Sequence, residues 1–258
     1  MRCKICNSET IIFDMAVVLR KYDVAYYQCP QCGFIQTEAA YWINEAYSDA
    51  IAYSDIGLIG RNILLSSQCS AVFKLALLPP RNEHFSFLDY GAGYGMFVRM
   101  MRDKGFDLHW YDKYCQNLFA KGFEKQHGKY DVATAVELFE HLTEPLTDIE
   151  EMFKLADNIV FTTGLLPNPI PKINAWRYYC PETGQHIAFY TPRALEIVAK
   201  KFNRYYVHYG DFHAFTKVKI PKWKWAICCK LHKLINLFFR KQSLLSSDYE
   251  KITGNKLS

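Results

Sequence analysis

"FLDYGAGYGMF", residues 87–97, decides how the rest of the chain is read. An apolar run ends at Asp89, glycines alternate at 91, 93 and 95, and a helical pattern starts at Met96. Glycines bunched after a strand let something approach bare backbone. The dinucleotide fingerprint, Gly-x-Gly-x-x-Gly, places its last glycine one position later. Here the pattern is Asp-x-Gly-x-Gly-x-Gly. A carboxylate facing the ligand from Asp89 repels a pyrophosphate but suits an ammonium or sulfonium group.

Outward from this loop, strands and helices alternate. "HFSFLDY" (84–90), "FDLHWYD" (106–112), "YDVATAVEL" (130–138) and "NIVFTTGLL" (158–166) read as strands, with a further short one near "GFE" (122–124). "MFVRMMRDKG" (96–105), "PLTDIEEMFKLA" (145–156) and "TPRALEIVAKKF" (191–202) read as helices. The alternation predicts an α/β fold around a largely parallel sheet. "RYYVHYG" and "HAFTKV", joined by a "GDF" turn, predict a mixed edge. Ligands of such a sheet bind beyond the carboxyl ends of its central strands. Asp112 ends the second strand, where a carboxylate accepts hydrogen bonds from ribose hydroxyls. A positive ligand with a ribose and no phosphate describes S-adenosylmethionine. The blander reading is a glycine turn with two solvated aspartates.

Composition sets bounds on these readings. At 258 residues, 50% hydrophobic and 16% aromatic, the chain can build one sizeable core, and disorder is not expected. A net charge of +5 does not by itself imply nucleic acid. "MRCKICNSET" is no apolar signal segment, and no run of about 18 uncharged apolar residues appears. A cytoplasmic location follows as an expectation, and there the nine cysteines favour metal binding over disulfides.

"CKIC" (3–6) and "CPQCG" (29–33) supply two Cys-x-x-Cys pairs. Cys3, Cys6, Cys29 and Cys32 predict a closed, structural Zn2+ site, with Gly33 in a left-handed turn. With "TIIFDMAVVL" and "DVAYYQC" as short strands between the pairs, the segment reads as a zinc ribbon. An iron centre, a redox pair and four unliganded thiols are the alternatives. The other cysteines, at 69, 115, 180, 228 and 229, read as ordinary apolar residues. The resulting division is a ribbon at 1–40, a helical bridge over the active-site cleft at 41–82, a cofactor-binding domain at 83–220 and a tail at 221–258.

In the tail, "PKWKWAICCKLHKLINLFFRK" (221–241) reads as a basic amphipathic helix. Ile227, Leu231, Leu234 and Phe238 share a face, with Lys230, Lys233 and Lys241 toward its sides. Such a helix lies on an anionic membrane surface, or docks on the domain or a partner copy. "SLLSSDYEKITGNKLS" reads as frayed.

Residues 85–165 resemble the class I S-adenosylmethionine-dependent methyltransferases. "FLDYGAGYG", "HWYDKY" and "YDVATAVELFEHLTEP" are similar to that family's first, second and fourth-strand motifs. The resemblance implies a Rossmann-like sheet of seven strands, the last reversed. It implies that Asp89, Gly91, Gly93 and Gly95 hold the methionine end of the cofactor and Asp112 its ribose. Lys113 and Phe123 would lie near the adenine, and Glu137 and Leu138 would line the cofactor. The four-cysteine module, continuing as "CGFIQTEAAYWINEAYSD", resembles the zinc-binding nucleotide-sugar C-methyltransferases. Those continue into a further C-terminal domain that this sequence does not contain. "PETGQHIAFYTP" (181–192) resembles the place where they carry Glu-His and an aromatic pair. Here the residues are Gln185-His186 and Phe189-Tyr190, so the resemblance implies His186 as base, with Glu182 nearby to orient it. Tyr178, Tyr179 and Tyr190 would bind sugar hydroxyls or an enolate oxygen.

The chemistry agrees. A methyl group on sulfonium needs an electron-rich atom held in line, and a carbon or hydroxyl nucleophile must also lose a proton. Histidine is the natural base near neutral pH. His141, in "EHL", is the second candidate, and Glu140 beside it is as readily solvated as functional. The expected function is methyl transfer to carbon or oxygen of a small sugar-type acceptor. One alternative is an RNA methyltransferase gripping nucleic acid with the ribbon. Against it, Arg2, Lys4, Arg20 and Lys21 are nearly balanced by Glu9, Asp14 and Asp23, and no Asn/Asp-Pro-Pro-Tyr motif is present. The other alternative is a non-catalytic cofactor-binding module, against which stand the intact glycine loop and Asp112.

Overall fold

The computed structural model describes residues 1–48, 51, 54–77 and 85–256. The expectations for 49–50, 52–53, 78–84 and 257–258, including the Pro79-Pro80 break of the bridge, lie outside the described residues.

Ten strands are described in chain order: β1 (Ile11–Val18), β2 (Tyr22–Gln28), β3 (Ile35–Thr37), β4 (Phe87–Tyr90), β5 (Leu108–Tyr111), β6 (Tyr130–Ala135), β7 (Ala156–Thr162), β8 (Ala188–Phe189), β9 (Tyr205–Tyr209) and β10 (Phe212–Thr216). The main sheet runs β5-β4-β6-β7-β10-β9. β5, β4, β6 and β7 are parallel, and β10 is antiparallel to β7 and to β9. "FLDY" and most of "YDVATA" are buried on both faces, as central parallel strands require. Among the described residues this sheet has six strands where seven were expected. The segment at "GFE" shrinks to a single parallel bridge between Trp110 and Glu124. Gly122, at φ +86°, turns the chain toward β5 just before it. There the Trp110 N–H donates to Phe123 O and the Lys125 N–H to Trp110 O, both at 2.7 Å.

The helices are α1 (Ile43–Ala46), α2 (Leu58–Val72), α3 (Met96–Asp103), α4 (Pro145–Leu155), α5 (Pro192–Lys201), α6 (Lys222–Lys230), α7 (His232–Phe238) and α8 (Leu245–Thr253). α4 and α5 start on a proline, whose missing N–H costs nothing there, and Thr191 caps α5 by accepting from the Ala194 N–H at 3.1 Å. Ile149, Met152, Leu195 and Val198 of α4 and α5 cover one face of the sheet with Leu88, Ala133 and Phe215. Phe97, Met101, Val72 and Trp225 of α3, α2 and α6 cover the other with Phe87, Val132 and Val160.

The first two strands and β3 form a second sheet, in order β1-β2-β3-β8. Its fourth strand comes from the 178–191 loop, so the N-terminal module shares a sheet with the stretch carrying His186. Two corrections concern the C-terminus. The amphipathic stretch is two helices broken at Leu231, with Trp225, Cys228, Cys229 and Ile235 turned inward. It docks on α2: the Asn236 Nδ2–H donates to Ser67 O at 2.8 Å, and His232 Nδ1 lies 2.7 Å from Ser67 Oγ. The last residues are not frayed, because Asp248 anchors α8. Its carboxylate takes Arg102 in a bidentate pair at 2.8 and 2.6 Å and Arg99 at 2.9 Å. Among the described residues no helix is long and apolar enough to cross a membrane.

Candidate active site

The glycine loop follows β4, and its three glycines do different things. A Cβ at Gly91 would lie 2.9 Å from both methyls of Leu138, and one at Gly95 2.9 Å from Asn117 Oδ1 and 3.2 Å from Trp110 Cδ1. Both positions are bare because the protein's own side chains crowd them. Only at Gly93 does the Cβ position face open space, with no described atom within 4 Å. The tip is clamped from β5: the Gly93 N–H donates to Asp112 Oδ2 at 2.9 Å, and the Trp110 Nε1–H donates to Gly93 O at 2.8 Å.

Asp112 Oδ1 also accepts the Tyr114 and Cys115 N–H groups at 2.7 and 2.8 Å. A carboxylate has about four acceptor sites, so roughly one, on Oδ2, is left for a ribose hydroxyl. Asp89 is not presented to solvent. It is 2% exposed and accepts from Thr134 Oγ1 at 2.6 Å, and burial pushes its carboxyl up to about 7. Lys113 is a surface residue, 3.4 Å from Asp148 Oδ1. Phe123 has no face for an adenine: it is buried under the Arg102 guanidinium, 3.7 Å from its ring centroid.

Beyond β6 the chain turns sharply at Glu137, which has φ +50°. Its N–H donates to Thr162 Oγ1 at 2.8 Å, and Thr162 Oγ1 donates back to Glu137 Oε1 at 2.7 Å. Burial, then the neighbouring Glu140, push the Glu137 carboxyl up to about 7. Arg61 of α2 reaches Glu137 Oε2 at 3.4 Å, and the Tyr47 ring lies 6.1 Å from that of His141. The bridge segment therefore lies against this site.

Glu140, which the sequence leaves open between solvated and functional, has unusual surroundings. It is fully buried, and among the described residues neither carboxylate oxygen has a hydrogen-bond partner. One ligand atom each from Glu140, His141 and His186 lie within 4.8 Å of one another. His186 Nδ1 is 2.6 Å from Tyr178 O, and His141 Nδ1 is 3.0 Å from Gln185 O. A carbonyl can only accept, so each Nδ1 carries a proton, and in a neutral ring the lone pair is then on Nε2. Burial, and His186 beside it, push His141 down to about 3, so it stays neutral.

The other expected partners are elsewhere. Glu182 is exposed and makes no recorded bond to His186, whose orientation comes from the Tyr178 carbonyl. Gln185 turns away, donating from Nε2 to Ala46 O at 2.8 Å. Tyr190 is fully buried and donates to Phe139 O at 3.0 Å, because its strand is locked into the core, and Tyr179 donates to Pro171 O at 3.1 Å. Neither faces an acceptor. The Tyr178 hydroxyl accepts the Gly164 N–H at 2.7 Å and lies 3.3 Å from Thr163 Oγ1, with either hydroxyl able to donate.

The four N-terminal cysteines converge. Cys6–Cys29, Cys3–Cys32 and Cys6–Cys32 sulfurs are 3.4, 3.6 and 3.7 Å apart. Those separations are too long for a disulfide at about 2.05 Å and near the roughly 3.8 Å edge of a tetrahedral zinc–thiolate site. Asn7 and Gly33, each just after a pair, take left-handed φ values of +61° and +76°. The second knuckle abuts α5: Thr191 Oγ1 donates to Cys32 O at 2.5 Å.

Residues 65–209, more than half of the chain, match the methyltransferase domain family. The chain belongs to that family. As a methyltransferase its core runs from α2 to β9. No curated protein matches the sequence. Among solved structures it is similar to the plantazolicin methyltransferase BpumL in complex with SAH, at 14% identity over 64% of this chain and 74% of that one, with a TM-score of 0.41. It is similar also to the magnesium protoporphyrin IX methyltransferase ChlM of Synechocystis PCC 6803, at 11% identity over 67% and 90% of the two chains and a TM-score of 0.40. An O-methyltransferase family protein from Burkholderia thailandensis matches at 11% identity over 69% and 62%, with a TM-score of 0.46.

Proposed function

We propose that this methyltransferase moves a methyl group from S-adenosylmethionine to an oxygen or carbon acid of a small sugar-type acceptor. In this reading His186 takes the acceptor's proton, and Glu140 offsets the charge His186 then carries. The observation that carries it is a ring nitrogen of His186 within 4.8 Å of a buried carboxylate that has no partner among the described residues, with His186 Nδ1 held at Tyr178 O. Alone, that carboxylate is unfavourable. Once His186 is protonated the two become an ion pair, so the pocket favours proton transfer into it. Tyr178 O holds the imidazole in the tautomer that can act as base.

When bound, the cofactor supplies an electrophilic methyl on sulfonium. Gly93 offers it bare backbone, and Asp112 Oδ2 offers an acceptor for a ribose hydroxyl. The Tyr178 hydroxyl can donate to an acceptor oxygen where negative charge develops. We assign the four-cysteine cluster to Zn2+, where it holds the ribbon and takes no part in methyl transfer.

His186→Ala should lower turnover by about 10²–10⁴-fold and leave affinity for S-adenosylhomocysteine nearly unchanged. Wild-type turnover in that variant removes His186 from the mechanism. A second reading is favoured by the spacing of the three side chains, which suits a divalent ion held by Glu140, His141 and His186. An ion there would use the His186 lone pair and polarise the acceptor itself. Mn2+ titration of zinc-loaded enzyme separates the two. Inhibition supports the base; activation that disappears in Glu140→Gln supports the ion.

A further inference from the structure

Among the described residues nothing covers the outer face of α6 and α7. Trp223, Ile227, Leu231, Leu234 and Phe239 are exposed, and Leu237 and Phe238 are 71% and 74% exposed. α2, on which both helices pack, leaves Ile59, Ile63 and Leu64 exposed as well. Contiguous apolar patches on a soluble domain mark a surface that binds something.

The charge of the segment narrows what that is. From Phe212 to Ser247 there is no aspartate or glutamate, against eight lysines and arginines. Beside α7 lies a notch of about 210 Å³, lined by Lys74, Lys104, Arg240 and Lys241 with Ser70, Asn236 and Asp103. Asp103, its one carboxylate, already binds Arg99 at 2.9 Å. The Lys74 and Lys241 ammonium groups sit 5.9 and 4.7 Å from the centroid of one ring, Phe106. Half-burial, with the charges of Lys241 and Lys104, pushes Lys74 down to about 8. These cations repel one another in a partly dry notch, and an anion seated among them relieves the repulsion.

We propose that this face is a peripheral membrane-binding surface for anionic phospholipid. The headgroup phosphate sits in the basic notch, while Leu237, Phe238 and Phe239 enter the edge of the acyl layer. Both halves of the patch are then used: charge by the headgroups, apolar side chains by the chains beneath them. A second copy of this chain fits poorly, because a two-fold pairing would set the same cations against each other without a carboxylate between. Nucleic acid would meet the notch but leave the leucines and phenylalanines in water. None of these residues touches Glu140, His141 or His186, so the proposal stands apart from the catalytic reading.

The test is co-sedimentation of the full chain with phosphatidylcholine vesicles, with and without phosphatidylserine, at low and high salt. Binding is expected only to the mixed vesicles and should weaken with salt. Each of Lys74→Gln, Arg240→Gln and Lys241→Gln should weaken it about fivefold. Leu237→Ser with Phe238→Ser should remove most of it, while thermal stability and methyl transfer stay as in wild type. Failure to bind anionic vesicles overturns the proposal. So does a concentration-dependent dimer that needs Leu237 and Phe238. RNA binding that ignores the double serine variant, with no vesicle binding, would reassign the charges to nucleic acid.

Discussion

Replacing Gly93 with alanine separates a glycine needed by a ligand from glycines needed by the fold. At φ +53° an L-residue costs about 1–2 kcal/mol relative to glycine. The new methyl meets no described atom within 4 Å, so no clash adds to that cost. For a chain of this size about 1 kcal/mol lowers Tm by about 2–4 °C. The effect on the cofactor is separate. If the ligand packs on this backbone, the methyl occupies its contact space, an overpacking cost of about 1–3 kcal/mol. That converts to about 5–150-fold in Kd. Gly95→Ala should do the reverse. Its methyl lies 2.9 Å from Asn117 Oδ1, which accepts the Ala120 N–H, so folding suffers more than binding. Gly91→Ala falls between, since the Leu138 methyls it meets can rotate away. The assay is calorimetric titration with S-adenosylhomocysteine, alongside thermal unfolding of the same preparations. Wild-type affinity in Gly93→Ala, with the small loss of stability still present, would refute the placement of the cofactor on this loop.

Three further outcomes follow from the same structure. Asp89, raised from an ordinary 3.8 to about 7, stabilises the fold below pH ~4 and loses that contribution as pH rises through 7. Asp89→Asn, which keeps the acceptor for Thr134, should therefore stabilise the ligand-free protein by up to ~4 kcal/mol at pH 8 and hardly at pH 4; equal effects at both in denaturant titrations would contradict this. Asp248→Ala leaves the buried Arg102 cation with only Asp107 and Leu108 O as partners and should cost about 1–3 kcal/mol, with loss of amide protection in α8. Arg102 and Arg99 hold the Asp248 carboxyl below its usual range, so in wild type this contribution is present above pH ~4 and lost as pH falls through the lowered value; a change under about 1 kcal/mol at neutral pH would mean α8 is held by something else. Cys32→Ser should release the metal and cut turnover far more than affinity for S-adenosylhomocysteine, measured by zinc content, rate and calorimetry; full turnover without metal would dissociate the ribbon from the site.

The parts of the fold that were legible in the sequence are those with a local signal. β4, β6, β7 and the three helices after them carry their own apolar periodicity, and the two Cys-x-x-Cys pairs announce that four cysteines converge. What was not legible depends on partners distant in sequence. β3 and β8 are three and two residues long and exist because Ile35 and Gln36 pair with Phe189 and Ala188. "SLLSSDYEKIT" looks like a loose polar end until Arg102, buried on α3, meets Asp248. In the sequence Glu140 is as readily a solvated carboxylate as a functional one. It is buried because the 178–187 loop folds over it, with the Ile187 N–H on Glu140 O at 2.8 Å. Tyr190 and Phe123 were misjudged for the opposite reason: aromatic residues near motif positions look like ligand contacts, but these two serve the core.

The position of β8 explains how the four-cysteine ribbon is joined to this site. His186 stands two residues before β8, and β8 is an edge strand of the ribbon's sheet. From the far side the knuckle presses on the same loop, with Gly33 so close to Thr191 that a Cβ there would lie 2.7 Å from its methyl. Trp42, just beyond β3, donates to Gly184 O at 2.9 Å from a third direction. A loop of this length has too little core of its own to hold an imidazole against a buried carboxylate, and surface loops are ordinarily the mobile part of a domain. Pairing it into a sheet anchored by the four-cysteine cluster would lend the histidine the rigidity of a closed site once that cluster holds the proposed Zn2+. The near-neutral charge of the ribbon fits that task and not a grip on phosphates. Under the proposed function, the ribbon would keep the His186 imidazole beside Glu140.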